Sequence, residues 1–236
     1  MAEPGSWDLL DEDCSDISDW TDIDSGSAVS DVDPAGQFRF RTLATDTSNA
    51  HRWRDMGSTP NTITAEVKLY CDAPGSAPGD GHAVYMDIRQ ASDVFIAYWA
   101  ESGMHVYNGG SFPEAGTDLV KYGGSVEWQI WRLLINYTTG KVDVYLTDST
   151  HTAEKVGDQL DWSLGGTFND GEIYLKLGDD PSLECHWDYV KVATGLYVPS
   201  VTSIKTVSGV AHANIKTING VPIADVKSFL GVSNVS

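Results

Sequence analysis

The sequence predicts an all-β fold, a two-sheet antiparallel jelly-roll sandwich with a small C-terminal β-repeat appendage. Short runs of alternating apolar and polar residues recur along the chain, whereas the helical period is almost absent. Clusters of glycine, proline, asparagine and aspartate separate these runs and predict turns. Many short strands with such punctuation are typical of sandwiches and jelly rolls.

Nine segments carry the strand pattern most clearly. In chain order they are Gln37–Leu43, Thr62–Tyr70, His82–Gln90, Val94–Ala100, Gly103–Tyr107, Trp128–Tyr137, Lys141–Thr147, Gly171–Leu177 and His186–Ala193. The clearest turns between them are Asn108–Gly110, Thr139–Gly140, Asn169–Gly171 and Asp179–Pro181. Because side chains alternate along a strand, we expect one buried face to hold Trp131, Leu133, Ile135 and Tyr137.

Three features of this order point to a known architecture. The segment Trp131–Tyr137 has the pattern W-x-L-x-I-x-Y, and Thr139–Gly140 then turns the chain into the next strand. Ser27–Phe40 precedes them, and the closing strand contains Trp187–Val190, an aromatic-Asp-x-Val pattern. Together they resemble the concanavalin A-like lectin/glucanase (LamG-like) jelly roll. The resemblance spans roughly residues 7–198 and implies one such domain over residues 1–198.

Residues 199–236 contain a repeat with a period of eleven. Its three units begin at Ile204, Ile215 and Val226, and each has a glycine followed by a valine, the glycines being Gly209, Gly220 and Gly231. Asn-Gly favours a tight hairpin turn, so strands of about nine residues would form a small β meander that needs a neighbour to pack on. The repeat resembles the tail repeats of many bacteriophage virion proteins, which implies attachment or oligomerisation. A flexible tail is the alternative.

Composition limits the partners. The net charge of −19 argues against a nucleic-acid partner, because phosphate binding needs clustered Lys and Arg. No apolar stretch reaches the ~20 residues of a membrane span, so no membrane partner is expected. Residues 1–20 lack a basic start and an apolar run, which predicts no signal peptide. The three cysteines are expected to be buried reduced thiols, and Cys14 and Cys185 are candidates for neighbours.

The resemblance also implies a structural calcium ion. In many jelly rolls of this superfamily, carboxylates near the first strand and an aspartate in the closing strand hold Ca²⁺. The matching positions here are Asp11, Glu12, Asp13 and Asp188. Calcium takes six to eight oxygen ligands, backbone carbonyls included, so loosely spaced carboxylates suffice. A solvated acidic N-terminal segment is the alternative.

No catalytic residues are predicted. The Glu-x-Asp-x-x-Glu strand of the superfamily's glucanases is absent. Gln129–Trp131 and Tyr174–Gly178 resemble two strands of alginate lyases, yet Trp131 stands where those enzymes have histidine. General acid–base catalysis needs a titratable group within reach, so we expect binding without turnover, with a polysaccharide lyase as the alternative.

Carbohydrate binding is the activity that remains. Aromatic side chains present flat apolar faces to sugar rings while their polar edges stay hydrated. The candidate glycan-binding residues are Tyr85, Arg89, Trp99, Trp128 and Arg132. For each aromatic residue, packing between the sheets is the alternative.

These observations predict a bacteriophage virion structural protein, namely a capsid decoration, head-fibre or tail-associated protein. Assembly in the host cytoplasm would explain a lectin-like domain without an export signal. The expected partners are other virion proteins, further copies of the chain in a homo-oligomer, and glycans of a host or its environment. A free carbohydrate-binding module is a further alternative.

Overall fold

The computed structural model describes most of the chain through residue 199 and six short strands beyond it. The described ranges are 4–42, 49–72, 84–100, 103–111, 113–117, 120, 127–162, 165–178 and 184–199, followed by the hairpin strands given below. Within these ranges no helix forms, and so none is long and apolar enough to cross a membrane. Two antiparallel sheets make an all-β jelly-roll sandwich, as the sequence predicts.

The first sheet, sheet A, contains eight strands. Its order is β13-β12-β11-β6-β15-β4-β3, and β1 pairs with β15 beside this path. The bounds are β1 Leu10–Glu12, β3 Val29–Val32, β4 Phe38–Arg41, β6 Thr62–Asp72, β11 Gln129–Asn136, β12 Lys141–Thr147, β13 Glu154–Asp161 and β15 Glu184–Thr194.

The second sheet, sheet B, contains seven strands in the order β10-β9-β8-β7-β14-β5-β2. The bounds are β2 Thr21–Asp22, β5 Ala50–Asp55, β7 Val84–Gln90, β8 Asp93–Ala100, β9 Gly103–Val106, β10 Glu114–Thr117 and β14 Glu172–Leu177. Strands distant in sequence lie side by side in both sheets, so each face is assembled from the whole domain.

The core lies between the sheets and is rich in tryptophan. The predicted inward set Trp131, Leu133 and Ile135 is fully buried, and Tyr137 joins the same cluster. Trp99 of sheet B meets Trp131 of sheet A edge-on, with ring centroids 6.4 Å apart. Apolar area removed from water contributes about 25 cal/mol per Å². The buried cluster between the sheets therefore stabilises their packing.

One edge of the sandwich is closed by charged groups instead. The cross-strand partners of Arg52 and Arg54 on β14 are the inward Leu175 and Ile173, so both arginines face the interior. Arg54 donates to the buried carboxylate of Glu12 at 2.6 Å, and Trp20 Nε1 donates to the same carboxylate at 3.0 Å. Charges so placed are stable only when paired, and these are.

The C-terminal repeat forms three separate two-stranded hairpins. They are β16 Thr206–Val207 with β17 Val210–Ala211, β18 Thr217–Ile218 with β19 Val221–Pro222, and β20 Ser228–Phe229 with β21 Val232–Ser233. Each described strand has two residues and pairs within its own unit. The expected turns and the rest of the expected nine-residue strands lie outside the described residues. The repeat residues named for attachment, Ile204, Gly209, Ile215, Gly220, Val226 and Gly231, lie outside the described residues.

All three cysteines are buried, and none of them forms a disulfide in this structure. The neighbour of Cys185 is Cys71, which lies opposite it on β6 with the two Sγ atoms 3.7 Å apart. Burial raises the pKa of the Cys14 and Cys185 thiols well above the usual range, so neither is a reactive thiolate.

Candidate functional site

The outward face of sheet B carries a continuous group of aromatic rings. Ile173, Leu175 and Leu177 of β14 point into the core, so the alternate residues Tyr174 and Lys176 point outward. Cross-strand pairing extends this face across five strands. We define the aromatic face as the outward side chains of β5, β14, β7, β8 and β9, whose rings are His51, Trp53, Tyr85, Tyr98, His105 and Tyr174. Tyr98 and His105 are buried, so the partly exposed rings of the face lie on β5, β14 and β7.

The rings of the aromatic face form two groups of contacting rings. Trp53 and Tyr174 stack with centroids 6.0 Å apart, and His51 lies 5.3 Å from Tyr174. Tyr85 and Tyr98 follow at 5.7 Å, and His105 stacks on Tyr98 at 4.9 Å. Such contacts hold the rings in one arrangement before any ligand arrives, which lowers the entropy cost of binding.

A hydrogen-bonded network borders these rings. The Arg89 guanidinium donates to Glu172 at 3.0 Å and to the Tyr174 hydroxyl at 2.9 Å. The same hydroxyl donates to Glu172 at 2.7 Å, and Asn169 donates to the other carboxylate oxygen at 2.7 Å. The Arg89 guanidinium carbon also lies 3.9 Å from the Tyr174 ring centroid. Glu172 is therefore a buried, fully hydrogen-bonded carboxylate, and Tyr174 is held at both its ring and its hydroxyl.

Asp87 lies in the middle of the aromatic face, directly opposite Tyr174 on one side and Ile96 on the other. Desolvation raises the pKa of its carboxyl to about 6, although the nearby Arg89 and Lys176 oppose the shift. Among the described residues, no donor is hydrogen-bonded to this carboxylate. Asp87 therefore has lone pairs available for a ligand.

The remaining polar groups of the face are His51 and Lys176. Burial, followed by the positive charges of Lys176 and Arg89, lowers the pKa of His51 to about 4. His51 is thus uncharged at neutral pH, and its Nε2 atom is buried without a partner in the described part of the chain. Lys176 Nζ lies 5.4 Å from the Tyr85 ring centroid, a cation–π distance.

The five glycan-binding residues expected from sequence do not form one site. Tyr85 and Arg89 lie on the aromatic face. Trp99 points inward and is 0% exposed, so its assignment to ligand contact was wrong. Trp128 and Arg132 belong to sheet A, where Trp128 packs against Tyr70 at 4.7 Å and Arg132 forms a nearly buried ion pair with Glu66.

Trp53 was not among the residues predicted from sequence, and Tyr174 was predicted only as a lyase residue. On β5 the inward positions on either side of Trp53 are arginines, and Trp53 itself points outward. The usual pattern of apolar inward and polar outward residues is therefore reversed, so alternation does not predict this strand. Tyr98 and Trp99 are adjacent aromatic residues, so alternation requires one inside and one outside without saying which. The signal that distinguishes them is register, since Tyr98 pairs with Tyr85.

Each of the four expected calcium ligands forms a hydrogen bond or an ion pair with another group of the protein. Asp11 pairs with Lys191 at 2.9 Å, and Asp188 pairs with Lys68 at 2.8 Å. Glu12 accepts from Arg54, Trp20 and the Cys14 backbone, whereas Asp13 accepts from the Ser15 backbone. Within the described ranges, no three His, Cys, Asp or Glu side chains gather as metal ligands. Calcium binding at these residues stays a prediction.

The two strands that resemble alginate lyases lie in different sheets. Gln129 and Trp131 are on β11 of sheet A and are both buried, whereas Tyr174 and Lys176 are on β14 of sheet B. The width of the sandwich separates them, so these four residues do not form one lyase-like centre.

A shallow cavity lies where the turn after β11 meets the end of β13. It has a volume of about 310 Å³ and is lined by Asn108, Tyr137, Thr138, Thr139, Gly140, Asp161 and Trp162. Tyr137 and Trp162 are buried, so the cavity offers polar edges but little ring surface. The aromatic face is the better candidate for ligand binding.

Solved structures confirm the fold. No family model and no curated protein matches the chain. A sialidase is similar with a TM-score of 0.57 and 11% identity over 78% of this chain and 18% of that chain. Botulinum neurotoxin type C, whose cell entry depends on interaction with two ganglioside molecules, is similar with a TM-score of 0.50 and 8% identity over 75% of this chain and 44% of that chain. The Lotus tetragonolobus seed lectin has a TM-score of 0.49 and 7% identity, over 78% of this chain and 96% of the lectin.

At these identities the likeness shows the jelly-roll fold alone. This chain spans less than half of the sialidase and of the neurotoxin.

Proposed function

We propose that this chain is a bacteriophage virion structural protein that displays a lectin-like jelly roll and binds glycans without turnover. The aromatic face carries the glycan-binding part of the proposal. Its partly exposed rings, notably Trp53, Tyr174 and Tyr85, lie on one side of the sheet beside hydrogen-bonding groups. Rings offer stacking surfaces to sugars, and the interleaved polar groups fix orientation.

Binding without turnover is supported by the state of the acidic groups on this face. Glu172 is buried and occupied by hydrogen bonds from Arg89, Tyr174 and Asn169. Hydrolysis of a glycosidic bond needs a second carboxyl group at a defined distance across the sugar. Among the described residues at the centre of the face, Asp87 carries the one carboxylate without a hydrogen-bond donor, which supports binding over hydrolysis.

The glycan-binding proposal is tested by glycan-array binding of the wild type and of Trp53→Ala. Removal of the ring should weaken binding about tenfold, because a ring contact contributes about 1.4 kcal/mol. Trp128→Ala is the matched control, since Trp128 is a half-buried tryptophan outside the aromatic face. Equal losses in both variants, or a loss in Trp128→Ala alone, would contradict the assignment to sheet B.

The virion part of the proposal is supported by the C-terminal repeat and its resemblance to bacteriophage tail repeats. Three hairpins of two-residue strands are too small to be stable alone, so contact with other virion proteins or other copies of the chain would stabilise them. Detection of the chain in purified particles tests this role directly. A chain ending at Val198 should lose particle association while it keeps the far-ultraviolet spectrum of a β sandwich.

A polysaccharide lyase is the second candidate, because Tyr174, Lys176 and Arg89 share one face. Incubation with alginate and other uronate polymers tests it through the absorbance of unsaturated products. Steady product formation would replace binding with turnover as the function of the aromatic face.

A further inference from the structure

We infer that the aromatic face selects uncharged glycan chains and that Asp87 is the residue that excludes acidic ones. This inference rests on the proposed glycan-binding function and adds the class of ligand. It follows from the position of Asp87, from the balance of charge around it and from the length of the face.

Asp87 lies beside both parts of the exposed ring surface. It is on β7, opposite Tyr174 of β14, which stacks on Trp53, and it is two residues from Tyr85 on its own strand. Residues two apart on a strand share a face, so Asp87 adjoins both the Trp53–Tyr174 pair and Tyr85. A sugar chain that contacts the pair and Tyr85 lies within reach of its carboxylate.

The charges around Asp87 leave little attraction for a sugar carboxylate. Arg89 is committed to Glu172 and Tyr174, at 3.0 and 2.9 Å. Among the described residues of the face, Lys176 is the remaining cation, and its charge is offset by Asp87 on the neighbouring strand. His51 adds no positive charge at neutral pH, since its pKa is lowered to about 4.

The charge of the whole chain acts in the same direction. A net charge of −19 repels polyanionic glycans before contact. Against hydroxyl groups, by contrast, an ionised carboxylate is a strong hydrogen-bond acceptor. The Asp87 carboxylate has no described hydrogen-bond donor, so sugar hydroxyls supply the partners that it lacks, whereas a uronate would bring a like charge against it.

The length of the face indicates a chain of sugars. The partly exposed rings of the face lie on the adjacent strands β5, β14 and β7, whereas Tyr98 and His105 on β8 and β9 are buried. Strands are about 4.8 Å apart, so the exposed rings span about 10 Å across the strands. This exceeds one sugar ring, so the Trp53–Tyr174 pair and Tyr85 would contact neighbouring units of an oligosaccharide.

The inference is tested by calorimetric titration with two oligosaccharide series of matched length, uncharged β-glucans and alginate uronates. The wild type should prefer the uncharged series about tenfold or more, and added salt should reduce this preference by screening the repulsion. Asp87→Asn should bring the two series to within a few-fold of each other. Asp55→Asn is the matched control, because Asp55 is an exposed carboxylate at the edge of the same face, and it should keep the wild-type ratio.

Three results would overturn the inference. Tightest binding of the uronate series by the wild type would refute selection of uncharged chains. A ratio in Asp87→Asn equal to that of the wild type, with the fold intact, would refute the role of Asp87. Absence of binding to both series and to a glycan array would instead remove the proposed function itself, and the inference with it.

Discussion

Trp53 and Tyr174 lie directly opposite one another on β5 and β14, with ring centroids 6.0 Å and ring planes 23° apart. Tyr174 is also held through its hydroxyl, which donates to Glu172 and accepts from Arg89. Tyr174 is thus held by its ring against Trp53 and by its hydroxyl in the hydrogen-bonded network. Substitutions can remove the hydroxyl without the ring.

Tyr174→Phe and Tyr174→Ala should therefore differ in glycan affinity. Phenylalanine keeps the ring against Trp53, so binding should stay within about twofold of the wild type. Alanine removes the stacking surface and should weaken binding about tenfold. Calorimetric titration with an array-selected glycan measures both variants. Equal losses in the two variants would show that the hydroxyl, and not the ring, contacts the ligand.

Asp87→Asn should stabilise the protein in alkaline but not in acidic solution. The folded state raises the pKa of Asp87 from 3.8 to about 6, so ionisation costs folding free energy that is absent below pH 3.8 and complete above pH 6. At pH 8 the variant should gain about 1–3 kcal/mol in the free energy of unfolding. Urea unfolding at pH 8 and near pH 4 measures the difference in unfolding free energy between the variant and the wild type. An equal difference at the two pH values would contradict the desolvation of Asp87.

Glu12→Ala should destabilise the fold by about 3–5 kcal/mol. The substitution leaves Arg54 and Trp20 Nε1 without the acceptor they share at the edge of the sandwich. Asp11→Ala is the control, because the Asp11 carboxylate is exposed and pairs only at the surface with Lys191, which predicts a change below about 1 kcal/mol. Denaturant unfolding measures the stability of both variants through their midpoints, provided that the dependence of the unfolding free energy on denaturant is unchanged. Comparable losses of stability in the two variants would contradict this account, because they would show that Asp11 stabilises the N-terminal segment as much as Glu12 does.

The three cysteines should be unreactive in the folded protein. Titration with an aromatic disulfide reagent should detect almost no thiol in native buffer and three thiols after denaturation, because all three side chains are buried and reduced. Detection of one thiol in the denatured protein would instead indicate a Cys71–Cys185 disulfide.

The alternating strands of sheet A were predictable from sequence because one face of each is apolar. Trp131, Leu133 and Ile135 are buried as expected, and so are Val142 and Val144 after the turn. β5 was not predictable in this way, since arginines occupy its inward positions and are compensated by distant residues such as Glu12.

The candidate site was harder to predict than the fold, because a site depends on which strands become neighbours. Tyr85 and Arg89 were found from their own strand, yet Trp53 reaches them only through β14. Trp99 was misplaced because its neighbour Tyr98 is equally aromatic, and only pairing across strands shows which of the two faces the core.

The three C-terminal hairpins each pair within a single unit, with equivalent strands beginning at Thr206, Thr217 and Ser228. Their hydrogen bonds are therefore local, so deleting or duplicating eleven residues would break no described backbone pairing elsewhere. If the repeat attaches the jelly roll as proposed, the number of units could change without breaking a described hydrogen bond of the domain they attach.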